Sequence, residues 1–183
     1  YLLSPVLLPF HRFKWIRKLN KRLVLSKIKR AAGKLGLKNV QLWLFLPTGE
    51  LLAGQLDENV LVYYCVDSYA HNPGVNTENI QLLEDQLLKK ADVVFATSKP
   101  LYEDKLKKNP NTHYTPNCAD ISLYAQTDPK TVIKPADIID IPKPILGFAG
   151  NISNYKIDLD LLFAVAKQKA QWQFVFLGPV GHG

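Results

Sequence analysis

Between residues 40 and 117, short apolar runs alternate with helical segments, and this alternation constrains the fold more than any other feature of the chain. "VQLWLFLP" (40–47) and "NVLVYYCVD" (59–67) are rich in Val, Leu and aromatic residues, the composition of buried strands. "NTENIQLLEDQLLKKA" (76–91) predicts a helix capped by Asn76 or Thr77, with acidic residues early and Lys89 and Lys90 in its last turn, as the helix dipole favours. "DVVFATS" (92–98) predicts another buried strand, "KPLYEDKLKK" (99–108) a short helix with Pro100 near its start, and "THYTPN" (112–117) a short strand. Strands that return through helices run parallel, so the expected class is α/β, a Rossmann-like parallel sheet with helices on both faces.

Residues 126–144, "QTDPKTVIKPADIIDIPKP", hold four prolines and predict a connector between two units, the first spanning 1–125. Beyond it, "PILGFAG", "DLDLLFAVAKQKA" and "WQFVFLGPVGHG" predict strand, helix and strand, the opening of a second α/β domain over 145–183. The absence of methionine and the ending just after a strand and its glycine loop lead us to expect a piece of a longer protein.

Charge is unevenly placed. Residues 1–49 carry eleven Lys or Arg and no carboxylate, whereas the rest of the chain carries twelve against sixteen acidic residues. One basic segment on a mildly acidic body predicts a single anionic surface partner. Within residues 11–35, Trp15, Ile16, Leu19 and Leu23 form one helical stripe opposite Arg17, Lys18, Lys21 and Arg22, while Leu25, Ile28, Ala32 and Leu35 fall nearly on the other side. Either the helix breaks near Leu23 to Leu25, or its halves face different things. The basic face is either an ordinary solvated one or a surface that docks on anionic lipid. No recognised nucleic-acid motif accompanies the charge, so the expected partners include no nucleic acid. No run of eighteen apolar residues is present, and Cys65 and Cys118 are far apart without a CxxC spacing, so neither a membrane span, a zinc site nor a disulfide framework is expected.

Candidate chemistry collects at predicted strand ends. Asp67 closes the 59–67 strand and is followed by Tyr69 and His71 in a loop; a carboxylate or imidazole there can face a cleft and bind or deprotonate a hydroxyl, or else cap a turn. Glu84 is either a cleft carboxylate or an exposed helix charge. Asp92 ends a helix, and Ser98 caps the next. Gly147 and Gly150 bracket the end of the "PILGFAG" strand, and a helix opens at Asp158 with Leu159, Leu162, Phe163 and Ala166 as its apolar stripe. Such a corner either holds a phosphate or merely turns the chain. "GPVGHG" (178–183) is a second glycine loop after the next strand, and two loops on one sheet edge favour a ligand crevice. His113 and His182 lack partners at ligand spacing, so no metal is expected.

The succession "YYCVDSY", Glu84, "KKADVVFATSKPLYE", "HYTPNCADISLY", "PILGFAGNISNYKIDLDLL" and "WQFVFLGP" resembles the bacterial family-4 type glycosyltransferases of the GT-B fold, in the teichuronic-acid or exopolysaccharide branch. The resemblance covers the chain from about residue 40, and more loosely from residue 1. It implies an N-terminal acceptor domain followed by the start of a nucleotide-sugar domain, and retaining, metal-independent transfer from a nucleotide sugar, used as substrate rather than cofactor, to a lipid-linked saccharide acceptor in cell-envelope polysaccharide synthesis. It further implies that Gly150, Asn151 and Lys156 meet the donor phosphates, that Asp67 and His71 serve the acceptor hydroxyl, and that Arg17, Lys18, Lys21 and Arg22 dock the protein on the inner face of the cell membrane. The chain departs from the family where it has Cys118 and Ile157 in place of glycines and Asn151 in place of an Arg or similar polar residue. A non-catalytic protein of the same fold and a nucleotide-sugar epimerase are the rival expectations.

Overall fold

A computed structural model describes residues 1–9, 13–125 and 133–181. The chain divides into two compact units, Tyr1–Cys118 and Ala119–Gly183. The expected 126–144 connector falls within the second span, and its residues 126–132 lie outside the described part, as do Arg12 at the head of the basic segment and His182 in the second glycine loop.

The first unit holds four strands, β1 (Gln41–Leu44), β2 (Val60–Cys65), β3 (Val93–Ala96) and β4 (Thr112–Tyr114), all parallel and in sequence order. The register pairs Leu44 with Tyr63, Tyr63 with Val94, and Val94 with Thr112. Because successive side chains alternate across a sheet, Leu44, Leu61, Tyr63, Cys65 and Val94 point to one face. There they meet Leu87, Leu88 and Ala91 at the end of α2 (Thr77–Lys90), Ala53 beside the short 3₁₀ turn Pro47–Leu52, and Leu101 of α3 (Lys99–Leu106). The opposite face carries a row of rings. Tyr64, Phe95 and His113 stand in register, and Trp43 stacks on Phe95 with centroids 5.8 Å apart.

Both helices that carry the core begin as the sequence predicts. The side chain of Asn76 accepts from the amide of Asn79 at 2.7 Å, so Asn76 rather than Thr77 caps α2. Ser98 caps α3 by accepting from Leu101 N. At the far end of α2, Asp92 goes beyond ending the helix. Its carboxylate accepts from Leu61 N at 2.8 Å while its amide donates to Leu61 O, locking β2 to β3 before their ladder begins. Asn109 is buried and donates to Leu88 O and Ala91 O, at 2.9 and 2.8 Å, while accepting from Asn111 N. One amide side chain thereby satisfies two carbonyls at the C-terminus of α2 that the helix itself leaves open.

The N-terminal helix α1 (Lys14–Lys34) runs unbroken through Leu23 to Leu25, so the first of the two sequence alternatives does not occur. Its end is a Schellman turn: Leu37 N donates to Ala32 O, Gly36 N donates to Gly33 O, and Gly36 takes φ 63°. The inward face differs from the predicted stripe. It runs Ile16, Asn20, Val24, Ile28 and Ala31, at helical spacing, whereas Trp15, Leu19 and Leu23 are exposed, Trp15 to 65%. Asn20 is the position that obscures the pattern. It is polar yet buried, because its side chain accepts from Leu8 N at 2.9 Å and donates to Leu8 O at 3.0 Å, pinning the extended N-terminal segment to the helix.

The second unit contains α4 (Ile121–Ala125) and a parallel β5 (Ile145–Ala149), α5 (Leu159–Gln168), β6 (Gln173–Leu177) arrangement. Asp158 caps α5 by accepting from Leu161 N at 2.9 Å. Leu159, Leu162, Val165 and Ala166 form its half-buried face, and Phe163, placed on that stripe from the sequence, is exposed.

Replacing Asn109 by Ala removes two donors and one acceptor from a buried position. We expect a loss on the order of 2–3 kcal/mol of stability, measured by urea denaturation; a change within about 0.5 kcal/mol, the range of ordinary surface substitutions, would contradict this role.

Candidate functional site

A cleft of about 830 Å³ opens in the first unit at the carboxyl ends of β2 and β3. In a parallel sheet every strand delivers its C-terminal loop to one edge, so residues far apart in sequence converge there. Val66, Asp67 and Ser68 follow β2, Thr97 and Ser98 follow β3, and Asn117 comes from beyond β4. The side walls are α2, with Gln81, Glu84 and Asp85, and α3, with Leu101, Asp104 and Lys105. Thr97 keeps the two central strands together past their ladder, donating through its amide to Cys65 O and through its hydroxyl to Val66 O.

Under the cleft lies a buried polar cluster. Glu84 is 7% exposed and Lys105 5% exposed, and they form an ion pair at 2.8 Å. Tyr63, wholly buried in the middle of β2, donates its hydroxyl to the other Glu84 oxygen at 2.7 Å. The Cys65 thiol sits 3.8 Å from the same oxygen and 3.6 Å from Asp67 O. Lys105 also donates to Asp104 at 2.9 Å. Of the two alternatives for Glu84, the structure thus has the inward carboxylate, because α2 turns Leu83, Glu84, Leu87 and Leu88 onto one face.

The cluster sets the protonation of its members. Burial works against charge on Lys105, but the hydrogen bonds to Glu84 and Asp104 outweigh it and hold the ammonium above its usual range. The hydrogen bond from Lys105 keeps the Asp104 carboxyl below the usual range despite partial burial. Burial, reinforced by the neighbouring Glu84 carboxylate, pushes the Tyr63 phenol far up, so it stays a donor. Burial likewise raises the Cys65 thiol to about 11, which makes it a packed thiol rather than a nucleophile.

Asp67 and His71 both reach the cleft and are exposed there. The Asp67 carboxylate accepts from Ser68 N at 2.8 Å, and Ser68 Oγ lies 2.7 Å from His71 Nδ1. A serine hydroxyl on Nδ1 orients the ring, and Nε2 has no partner among the described residues. Tyr69 sits deeper, and burial raises its phenol. Sequence reasoning missed Lys105, Tyr63 and Ser68. Tyr63 carried a signal, since a phenol inside a buried strand needs a partner; Lys105 carried none, since it sits within a run of lysines.

The second unit holds the other expected site residues. Gly150 takes φ 154°, and a Cβ there would lie 3.1 Å from the Phe148 ring. Its amide donates to Leu177 O at 2.9 Å, and Ile152 N donates to Pro179 O at the same distance, so both N–H groups are engaged in joining the two glycine loops. Gly178 accounts for the second loop: a Cβ on it would lie 2.0 Å from Gly150 O. Asn151 is half-buried, and the Lys156 ammonium rests 4.6 Å from the centre of the Tyr155 ring. Ser153, within the same corner, buries a hydroxyl with no hydrogen-bond partner among the described residues.

Among the described residues no group of three or more His, Cys, Asp or Glu is placed to hold a metal ion, and no helix is long and apolar enough to cross a membrane. No protein-family model matches the chain, and no curated protein matches it.

Lys105→Met leaves Glu84 buried without its cation, and we expect about 3–5 kcal/mol of destabilisation. Lys105→Met combined with Glu84→Leu and Tyr63→Phe, the last removing the buried hydroxyl that Glu84 otherwise accepts from, should recover most of it, as replacing all partners of a buried polar group often does. Equal unfolding midpoints for the single and the triple variant would show that the pair does not carry this part of the fold.

Proposed function

We propose that the chain is part of a glycosyltransferase of the GT-B type, which moves a sugar from a nucleotide-sugar donor to a lipid-linked saccharide acceptor in cell-surface polysaccharide synthesis. The observation that carries the proposal is the cleft at the carboxyl edge of the parallel sheet, where Asp67 and the Ser68–His71 pair stand together. The order of segments resembling the family-4 type enzymes supports it, as does the β5–α5–β6 unit that follows.

In this reading the first unit receives the acceptor. His71, oriented through Nδ1 by Ser68, offers Nε2 to an acceptor hydroxyl, and Asp67 accepts from a neighbouring one. The second unit begins the donor side. Because the amides of Gly150 and Ile152 are engaged with the β6 loop, the phosphate contacts of this corner fall to Asn151 and Lys156. A Gly150 variant would disturb the Phe148 contact and the backbone as well as any ligand. Retention without a divalent ion requires that charge on the leaving diphosphate be met by such donors, each worth about 3 kcal/mol of barrier.

The first helix supports docking on an anionic membrane. Trp15, Leu19 and Leu23 form an exposed apolar stripe, flanked by exposed Lys18 and Arg22 and half-buried Lys21. Arg17 contributes its backbone to α1, and its side chain lies outside the described residues. In this reading those three side chains enter the lipid interface while the cations beside them meet its headgroups.

Transfer of labelled sugar from a panel of nucleotide sugars, by the protein as the cell makes it, is the direct test. Asp67→Asn and His71→Ala should each lower the rate by about 10²-fold or more while leaving the unfolding midpoint in place. Failure to transfer from any donor would refute the reading. For docking, Lys18, Lys21 and Arg22 changed to Glu should release the protein from vesicles containing phosphatidylserine, since each cation near such a surface contributes about 1 kcal/mol. Unchanged co-sedimentation would rule out the electrostatic contact.

A further inference from the structure

The charges around the first-unit cleft are unequal in number and, more tellingly, unequal in their pairing. Four carboxylates line it, those of Asp67, Glu84, Asp85 and Asp104, against two ammonium groups, Lys105 and Lys108. Lys105 is held between Glu84 and Asp104, and Lys108 is paired with Asp85 at 2.5 Å. Both cations are therefore committed to the walls. Asp67 alone of the four carboxylates has no ion-pair partner among the described residues; it accepts only from Ser68 N.

An entering phosphate would meet no unpaired cation here and would face an excess of carboxylate. An entering ammonium group would find Asp67 open. The volume lies within the roughly 300–1,000 Å³ of small-molecule sites, yet no Phe, Tyr or Trp lines it, so it offers no platform for a nucleobase. Its remaining polar side chains, among them Gln81, Asn117 and His71, suit hydroxyl groups. This local acidity lies on a chain of net charge +7, so it is a property of the site and not of the protein at large.

We infer that this cleft takes a saccharide bearing a free amine, held through Asp67, and turns away phosphorylated sugars. The inference rests on the proposed acceptor role of the cleft, and it names the class of acceptor.

Glucosamine, glucose, N-acetylglucosamine and glucose 6-phosphate, titrated into the 183-residue chain and followed through the amide resonances of Asp67, Ser68 and His71, test it without any sugar donor. Glucosamine should bind about threefold to fivefold more tightly than glucose or N-acetylglucosamine, the effect of one exposed ion pair, and glucose 6-phosphate should bind most weakly. Asp67→Asn should bring glucosamine to the level of glucose. Glucose 6-phosphate binding as tightly as glucosamine, a preference that survives Asp67→Asn, or no saturable shift at these amides with any of the four would each overturn the inference. Because binding is read alone, an amine preference in a protein that transfers nothing would refute only the transferase reading. Transfer to an acceptor without an amine preference would refute only this one.

Discussion

The contact between Glu84 and Lys105 joins the elements that frame the cleft of the first unit. Glu84 comes from α2, Lys105 from α3, and Tyr63, which donates to Glu84, from the central strand β2. Nothing in the chain's local order brings these three together; each is more than twenty positions from the next. Two charges withdrawn from water are costly unless their remaining hydrogen-bonding capacity is met. Here Glu84 accepts through both oxygens, and Lys105 has Asp104 as a second acceptor. The arrangement fixes how far apart α2 and α3 stand, and that distance is the width of the cleft.

The floor and the rim of the cleft divide the labour. In the buried group Glu84 accepts from Tyr63 and Lys105, and Lys105 is held charged by Glu84 and Asp104, which suits it to shape and not to chemistry. The rim, with Asp67, Ser68 and His71, is exposed and leaves acceptor and donor positions open. Cys65 touches both levels, its thiol lying against Glu84 and the carbonyl of Asp67.

Most of the architecture was legible because it depends on periodicity. Four strands, the helices between them, both caps of the core helices and the strand-end position of Asp67 and His71 follow from apolar runs and cap residues within a few positions of where they occur. What was not legible depends on partners distant in sequence. Asn20 reads as a surface residue until its bonds to Leu8 are known, and with it hidden the inward stripe of α1 was assigned to Trp15, Leu19 and Leu23, which are exposed. Lys105 reads as solvated until α2 supplies Glu84. The glycines at 147 and 150 announced a tight corner, but which amides of that corner are free depends on the loop after β6, almost thirty residues on.

That last meeting of loops sets a limit on motion in the second unit. With Gly178 so close to the carbonyl of Gly150 that a single carbon could not be inserted between them, and with amides crossing from one loop to the other, neither turn has room to slide alone. The two turns are therefore one piece of structure: a side chain added at position 178 would have to push the backbone of both apart, and neither can be redesigned without the other.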